Sequence, residues 1–87
     1  MASIWGYVLD DLTYVGINGA DVSINSGYGS PNYHTTTDDG YYQITNLAYG
    51  TYTLYARAGG FYSKSISGIS VPSNNPVYRE IDMRKKG

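Results

Sequence analysis

The 87-residue sequence contains no cysteine, and this absence narrows the chemistry that the chain can carry. It excludes disulfide bonds, thiol nucleophiles and thiolate metal sites together. An excess of charge of either sign is also missing, because six basic residues face seven acidic ones and the formal net charge is -1. Such a balance provides no electrostatic attraction for nucleic acid or for an anionic membrane.

Long apolar runs are missing as well. No stretch approaches the ~18 residues that a membrane-spanning helix needs, so we expect no membrane insertion. The first residues carry neither the basic segment nor the apolar segment of a signal peptide. We therefore expect either a domain of a longer exported protein or a complete protein that is released without a signal.

Tyrosine and glycine are abundant: 11 Tyr and 11 Gly accompany one Phe and one Trp. Together with many Ser, Thr and Asn residues, they favour short strands joined by tight turns and leave little material for helices. The length suits one domain with a modest core. The sequence therefore predicts a single domain over residues 1–87.

Alternation of apolar and polar residues predicts seven strands. The pattern is clearest where Val22 and Ile24 alternate with Asp21 and Ser23, as in a strand with one solvent-exposed face. Asp39-Gly40 supplies a hairpin signal, since glycine tolerates a positive φ at that corner. The fold class is therefore all-β, a seven-stranded antiparallel β-sandwich. The predicted strands cover residues 3–10, 20–26, 33–37, 41–47, 50–57, 61–71 and 77–84.

The same alternation predicts which side chains fill the interior. Arg79 shares the inward phase of the last strand, which places the first half of that strand at an edge where a guanidinium reaches water. The predicted core residues are Ile4, Val8, Ala20, Val22, Ile24, Tyr42, Ile44, Leu47, Tyr52, Leu54, Ala56, Ile81 and Met83.

Several short motifs resemble those of the carboxypeptidase regulatory-like domain. An I-x-G-x-V motif begins at Ile4, and an I-x-G-A-x-V motif begins at Ile17. The longest, D-G-x-Y-x-I-x-x-L-x-x-G-x-Y-x-L with a closing G-F, runs from Asp39 to Phe61. The resemblance implies a transthyretin-like (prealbumin-like) sandwich with Greek-key connections, and a non-catalytic accessory module of exported or surface proteins.

Two positions depart from the family pattern. Gly16 stands where the family often has proline, and Thr37 stands where it usually has aspartate. Gly16 falls in a predicted turn, and Thr37 falls where the predicted strand 33–37 meets the turn that follows it.

The residues that carry reactive chemistry form no catalytic or metal-binding pattern. His34, the sole histidine, lies among threonines, and no serine has the surroundings of a nucleophile elbow. The adjacent carboxylates Asp10-Asp11 and Asp38-Asp39 are more typical of Asx turns than of a calcium site. We therefore predict that the chain is not an enzyme, and we expect no cofactor and no metal.

Aromatic residues outside the core phase are the remaining functional signal. Exposed aromatic patches on soluble proteins usually mark contacts, and tyrosine mixed with Ser, Gly and Asn is typical of binding surfaces. The candidate interaction surface comprises Trp5, Tyr7, Tyr28, Tyr33, Tyr41, Tyr49, Tyr55 and Tyr78.

Two functions are compatible with this surface. The favoured one is a structural or interaction module that packs on neighbouring domains or on copies of itself. The alternative is a carbohydrate-binding module in which Trp5, or Tyr28 with Tyr33, stacks on the face of a sugar. Either role is expected in an extracellular, cell-surface or virion-surface protein.

Overall fold

A computed structural model describes residues 2–24, 34–71 and 75–87, with the side chains of residues 34–36 outside the description. The described residues form eight strands, and none of them belongs to a helix that could span a membrane. Two short strands take the place of the final predicted strand. The strands are β1 (Ala2–Asp10), β2 (Asp21–Ile24), β3 (His34–Thr36), β4 (Tyr41–Leu47), β5 (Gly50–Arg57), β6 (Lys64–Val71), β7 (Val77–Tyr78) and β8 (Ile81–Met83).

These strands form two sheets, which confirms the predicted β-sandwich. The first sheet has the order β4-β1-β7, and β8 continues beside β1 where β7 stops. The second sheet has the order β3-β2-β5-β6. The chain passes from one sheet to the other between β1 and β2, between β3 and β4, between β4 and β5, and between β6 and β7.

Two pairings differ from the antiparallel prediction. β7 and β8 run parallel to β1, with Ile4 opposite Val77 and Val8 opposite Ile81, whereas the other strand pairs are antiparallel. The reason is the direction in which the chain crosses from β6 to β7. β6 ends at the end of the sandwich where β1 begins, so the chain enters β7 beside the start of β1 and follows its direction.

The core lies between the sheets and matches the predicted inward phases. The apolar side chains of the two sheets meet there and exclude water, and this burial is the main stabilising contribution to the fold. Tyr52 is only half-buried, and its hydroxyl donates to the Ala48 carbonyl at 2.7 Å. The largest fully buried side chains are Tyr42, Ile4, Ile24, Leu47, Leu54, Ile69, Ile81 and Met83.

The break between β7 and β8 is fixed by a contact with the first strand. A Cβ added at Gly6 would lie 2.0 Å from the Arg79 carbonyl oxygen, so only glycine allows this close approach. The Tyr42 hydroxyl donates to the same oxygen at 2.6 Å, and the Arg79 amide donates to the Trp5 carbonyl at 2.9 Å. Burial raises the pKa of the Tyr42 phenol well above its usual range. These contacts hold Tyr78 beside β1.

The two departures from the family pattern lie in connecting segments that pair with other parts of the chain, Gly16 with Leu9 and Thr37 with Ala20. The Thr37 hydroxyl is buried, accepts the Ala20 amide at 2.8 Å and donates to the Ile17 carbonyl. A Cβ at Gly16 would lie 2.1 Å from the Asp39 carbonyl oxygen, so a side chain here would push the two turns apart. Threonine and glycine therefore fit this particular turn contact.

Candidate functional site

Aromatic side chains gather on the outer face of the first sheet. β1 alternates strictly, so that Ile4 and Val8 enter the core while Trp5 and Tyr7 point outward. Across the sheet, Tyr7 lies opposite Tyr41 of β4, and Trp5 lies opposite Tyr78 of β7. We call this group the aromatic cluster: Trp5, Tyr7, Tyr41 and Tyr78.

The rings of the aromatic cluster contact one another in edge-to-face and tilted arrangements. The ring centroids of Trp5 and Tyr78 are 4.7 Å apart at 71°, and those of Tyr7 and Tyr41 are 5.7 Å apart at 66°. Trp5 and Tyr41 are 6.5 Å apart at 41°. Such pairs favour a fixed mutual orientation, so a partner that covers the rings loses little side-chain entropy.

Exposure of the aromatic cluster is partial. Tyr7 is 41% exposed, Tyr41 37% and Tyr78 43%, while Trp5 is half-buried among them. Beside the cluster, Trp5, Tyr41, Gln43 and Pro76 line a shallow, mainly apolar depression of about 350 Å³. A partner can therefore bury apolar area here and also reach one amide group.

Two carboxylates border the aromatic cluster. Glu80 and Asp82 follow Tyr78 in the outward phase, and Asp82 lies opposite Leu9 on β1. The Tyr78 hydroxyl donates a long hydrogen bond of 3.5 Å to Glu80 Oε1. The pKa of the Glu80 carboxyl is raised by a hydrogen bond to Asp82, by desolvation and by the negative charge of Asp82. The hydrogen bond from Tyr78 lowers it by a smaller amount.

The phenol of Tyr78 responds to the same carboxylates. Desolvation is the largest of the effects that raise its pKa. The charge of Glu80 and the hydrogen bond to it raise the pKa further, and Tyr7 and Asp82 make smaller contributions in the same direction. Two cations lie at the same border, because Lys64 Nζ donates to the Asp82 carbonyl at 2.8 Å and Arg79 Nη1 donates to the Tyr78 carbonyl at 3.1 Å. The border of the aromatic cluster therefore carries charges of both signs.

Charge is distributed unequally between the two ends of the sandwich. At one end, β1 begins beside the end of β4, and β5 begins beside the end of β6. Among the described residues at this end, 2–4, 44–52, 69–71 and 75–77, there is no Asp, Glu, Lys or Arg. At the opposite end, Asp21 pairs with Arg57 at 3.3 Å. We call the first the charge-free end and the second the charged end.

The structure separates the other predicted aromatic residues from the cluster. Tyr49, 59% exposed, lies between β4 and β5 at the charge-free end. Tyr55 lies on the outer face of the second sheet, opposite Ser23 and Ser65. Tyr28 and Tyr33 lie outside the described residues. The sequence interpretation did not include Glu80, Asp82, Gln43 and Pro76, although Glu80 and Asp82 could have been found from their shared phase with Tyr78.

The candidate catalytic and metal residues do not converge in the part of the chain that is described. His34 lies on β3, in the second sheet and away from the aromatic cluster. Asp10 Oδ1 accepts the Leu12 amide at 2.8 Å and the Thr13 amide at 3.4 Å, which confirms the predicted Asx turn at this residue. Within residues 2–24, 34–71 and 75–87, no group of three or more His, Cys, Asp or Glu residues could hold a metal ion.

The fold and the motif glycines define a sandwich of the transthyretin-like class. The chain belongs to the carboxypeptidase regulatory-like domain family, whose family model matches residues 3–84. The matched residues include Gly6, Gly16 and Gly40, and they include all four residues of the aromatic cluster. Among curated proteins, no significant match was found.

Solved structures with the same fold come from larger proteins. A chain of a type II cohesin–X–dockerin complex from Acetivibrio cellulolyticus has a TM-score of 0.72 at 22% identity, and the alignment covers 98% of this chain and 58% of that one. The pilus 2b backbone protein of group B streptococcus has a TM-score of 0.68 at 20% identity, with 97% and 41% covered.

A third similar structure is a proposed carbohydrate-binding protein from Bacteroides uniformis. Its TM-score is 0.65 at 24% identity, and the alignment covers 94% of this chain and 40% of that one. At these identities the similarity shows a shared fold alone. The chain spans less than two thirds of the length of each of these three structures.

Proposed function

We propose that residues 1–87 form a non-catalytic structural or interaction domain that packs, through the aromatic cluster, on a neighbouring domain or on a second copy of itself. The observation that carries this proposal is the set of mutually packed, partly exposed rings on one outer face of the sandwich. The core does not need these rings, because it is filled from the opposite face of the same strands. Exposed aromatic patches of this kind usually mark contacts.

The expected energetics agree with this role. A tryptophan or tyrosine at the centre of a protein interface typically contributes ~2 kcal/mol or more to binding. Trp5 and Tyr41 each contact two rings of the aromatic cluster, and Trp5 has the larger ring. We therefore assign the largest contribution to Trp5, and smaller ones to the three tyrosines around it.

The structural comparisons support an assembly role outside the cell. One similar structure belongs to a cohesin–X–dockerin complex and another is a pilus backbone protein. Each contains this fold as part of a longer chain, as expected for a domain that packs on neighbours. A location in an extracellular, cell-surface or virion-surface protein follows from the same reasoning.

Sedimentation and tryptophan quenching test the proposal together. If the partner is a second copy, the protein should associate as its concentration rises from about 10 µM to about 1 mM. If the partner is a neighbouring domain, Trp5 should be shielded from solvent in the full-length gene product. The double variant Tyr7→Ser/Tyr41→Ser should abolish either effect, whereas Tyr55→Ser, on the other outer face, should not. The proposal would be contradicted if the protein stayed monomeric over this concentration range and if acrylamide reached Trp5 equally well in residues 1–87 and in the full-length gene product.

Carbohydrate binding is the second candidate function. It is favoured by one observation, the depression in which the Trp5 ring lies near the Gln43 amide beside the charge-free end. An indole ring can stack on the apolar face of a neutral sugar while the amide binds a hydroxyl group. A glycan array tests this function, and an array without a single binder would eliminate it.

A further inference from the structure

Two crossings between the sheets contact each other at the charged end. Residues 11–20 connect β1 to β2, and residues 37–40 connect β3 to β4. The Gly19 amide donates to the Thr37 carbonyl at 3.0 Å, and the Asp39 amide donates to Asn18 Oδ1 at 3.1 Å. The peptide group after Asn18 and the Asn18 side chain are therefore both held by the second crossing.

Asn18 and Gly19 form the only Asn-Gly pair in the sequence. Such a pair is prone to lose its side-chain amide, because glycine has no side chain to hinder the approach of its nitrogen to the asparagine Cγ. Asn18 is exposed, and nothing lies within 4 Å of a Cβ added at Gly19, whose φ is +75°. Water and space for the reaction are therefore present at this position.

The reaction passes through a cyclic imide. The Gly19 nitrogen attacks Asn18 Cγ, a bond forms between these two atoms, and the bond from Cγ to the side-chain nitrogen breaks. That nitrogen leaves as ammonia and takes the proton that the Gly19 nitrogen gives up. Water then opens the imide at either carbonyl and leaves an aspartyl or an isoaspartyl residue, so the reaction consumes water and releases ammonia.

We propose that Asn18 is a site of spontaneous deamidation and that its contact with Thr37 and Asp39 sets the rate. The Gly19 amide has to give up its proton, which it donates to the Thr37 carbonyl in the folded state. The Asn18 carbonyl carbon has to meet this nitrogen, whereas its oxygen is fixed to the Asp39 amide. The contact therefore slows the reaction, and local opening allows it. The site is separate from the aromatic cluster and does not depend on the proposed function.

The Thr37 hydroxyl stabilises this contact from within. It is buried, accepts the Ala20 amide at 2.8 Å and donates to the Ile17 carbonyl, so it binds the residues on both sides of the Asn-Gly pair. An isoaspartyl residue lengthens the backbone between these two groups and displaces them from the hydroxyl. Deamidation is therefore expected to weaken the connection between the sheets and to add a negative charge beside Asp39.

The rates of deamidation in the folded and the unfolded protein test the proposal. Residues 1–87 are incubated at mildly alkaline pH with and without urea, and mass spectrometry of a chymotryptic digest separates conversion at Asn18 from conversion at Asn25. Asn18 should convert about tenfold or more slowly in the folded protein. Hydrogen exchange of the Gly19 amide should be slowed by a similar factor, because both processes need the same opening.

Matched variants show which contact controls the rate. Thr37→Val keeps the shape of the side chain and loses its hydroxyl, so Asn18 should convert about tenfold faster in the folded variant. Tyr42→Phe loses a hydroxyl in another part of the fold and should change the rate less. Asn18→Gln should abolish the loss of ammonia at this position. Circular dichroism spectra are recorded first to confirm that each variant folds.

Equal conversion of Asn18 with and without urea would overturn the proposal, as would an Asn18 that does not convert in urea. If Thr37→Val and Tyr42→Phe accelerate the reaction only in proportion to their loss of stability, global unfolding sets the rate and the assignment to this contact is wrong. If Thr37→Val does not fold, the unchanged protein decides. Unequal slowing of Gly19 exchange and Asn18 conversion would then reject the shared opening.

Discussion

The two sheets of the sandwich have similar inner faces and contrasting outer faces. Both inner faces are packed with aliphatic side chains. On the outer face of the first sheet, Trp5, Tyr7, Tyr41 and Tyr78 contact one another. On the outer face of the second sheet, Tyr55 lies between serines of the two adjacent strands.

This difference separates the residues that the core requires from those that the proposed function requires. On the second sheet, the neighbours of Tyr55 are Ser23, which is fully buried, and Ser65, which is exposed. The four rings of the first sheet contact one another and lie outside the core. The proposed function accounts for them as a contact surface for a partner.

The largest effect is expected in the first sheet, where the contact of β1 with the last strand depends on a single glycine. In Gly6→Ala, the new Cβ would overlap the Arg79 carbonyl and separate β1 from the last strand. We expect a loss of about 3 kcal/mol of unfolding free energy, measured by urea denaturation. Gly59→Ala is the matched control, because nothing lies within 4 Å of its added Cβ. Equal stability of the two variants would show that the first sheet does not need this contact.

Removing the central ring tests the contrast between the outer faces. Trp5→Ala should weaken the association of the protein by about 2 kcal/mol, or about thirtyfold in dissociation constant, measured by sedimentation. Tyr55→Ala removes a ring from the other outer face and should change the dissociation constant little. If Tyr55→Ala has the larger effect, the interaction surface lies on the second sheet.

A hydroxyl deletion tests the interior that supports the aromatic cluster. Tyr42→Phe loses the hydrogen bond to the Arg79 carbonyl and should destabilise the fold by about 1 kcal/mol. Tyr52→Phe, which loses a more exposed hydrogen bond to Ala48, should cost less. Thermal unfolding measures both variants, and the reverse order would mean that the Tyr42 bond does not hold the last strand.

The smallest effect concerns the carboxylate border. The folded state raises the pKa of Glu80, so it binds a proton more tightly there than the unfolded state does. This contribution to stability is present at acidic pH and is lost as the pH rises through the raised pKa. Glu80→Gln should therefore reduce the fall in melting temperature between acidic and neutral pH.

The control for this prediction is Asp38→Asn, in the β3–β4 turn away from the carboxylate pair. Its melting temperature should follow the same pH dependence as the unchanged protein. If Glu80→Gln also keeps that dependence, the carboxyl pair does not share a proton in the folded state.

Much of the fold could be predicted from the sequence, because strand alternation reports directly on burial. Ile4, Val8, Ala20 and Val22 are buried as their phases predict. The resemblance to the family motifs also predicted the class of sandwich. The phase of β6 was harder to read, because Gly68 has a φ of +71° and separates the inward-facing Ile66 from Ile69. A bulge of this kind shifts the alternation by one residue.

Less of the candidate site could be predicted. Alternation assigned Tyr41 and Tyr55 alike to outer faces, yet it contains no information on which sheet each strand joins. Only the pairing of β1 with β7 brings Tyr78 to Trp5, and these residues are far apart in sequence. Glu80 and Asp82 were missed for the same reason, since their importance depends on the rings beside them.

Acrylamide quenching of Trp5 tests the central claim most directly, because this residue lies in the middle of the aromatic cluster. Quenching is measured for residues 1–87 at low and at high protein concentration, and for the full-length gene product. The account predicts that Trp5 becomes less accessible in at least one associated state, and that Tyr7→Ser/Tyr41→Ser removes this shielding. Association without any change in Trp5 accessibility would contradict the assignment of the outer face of the first sheet as the contact surface.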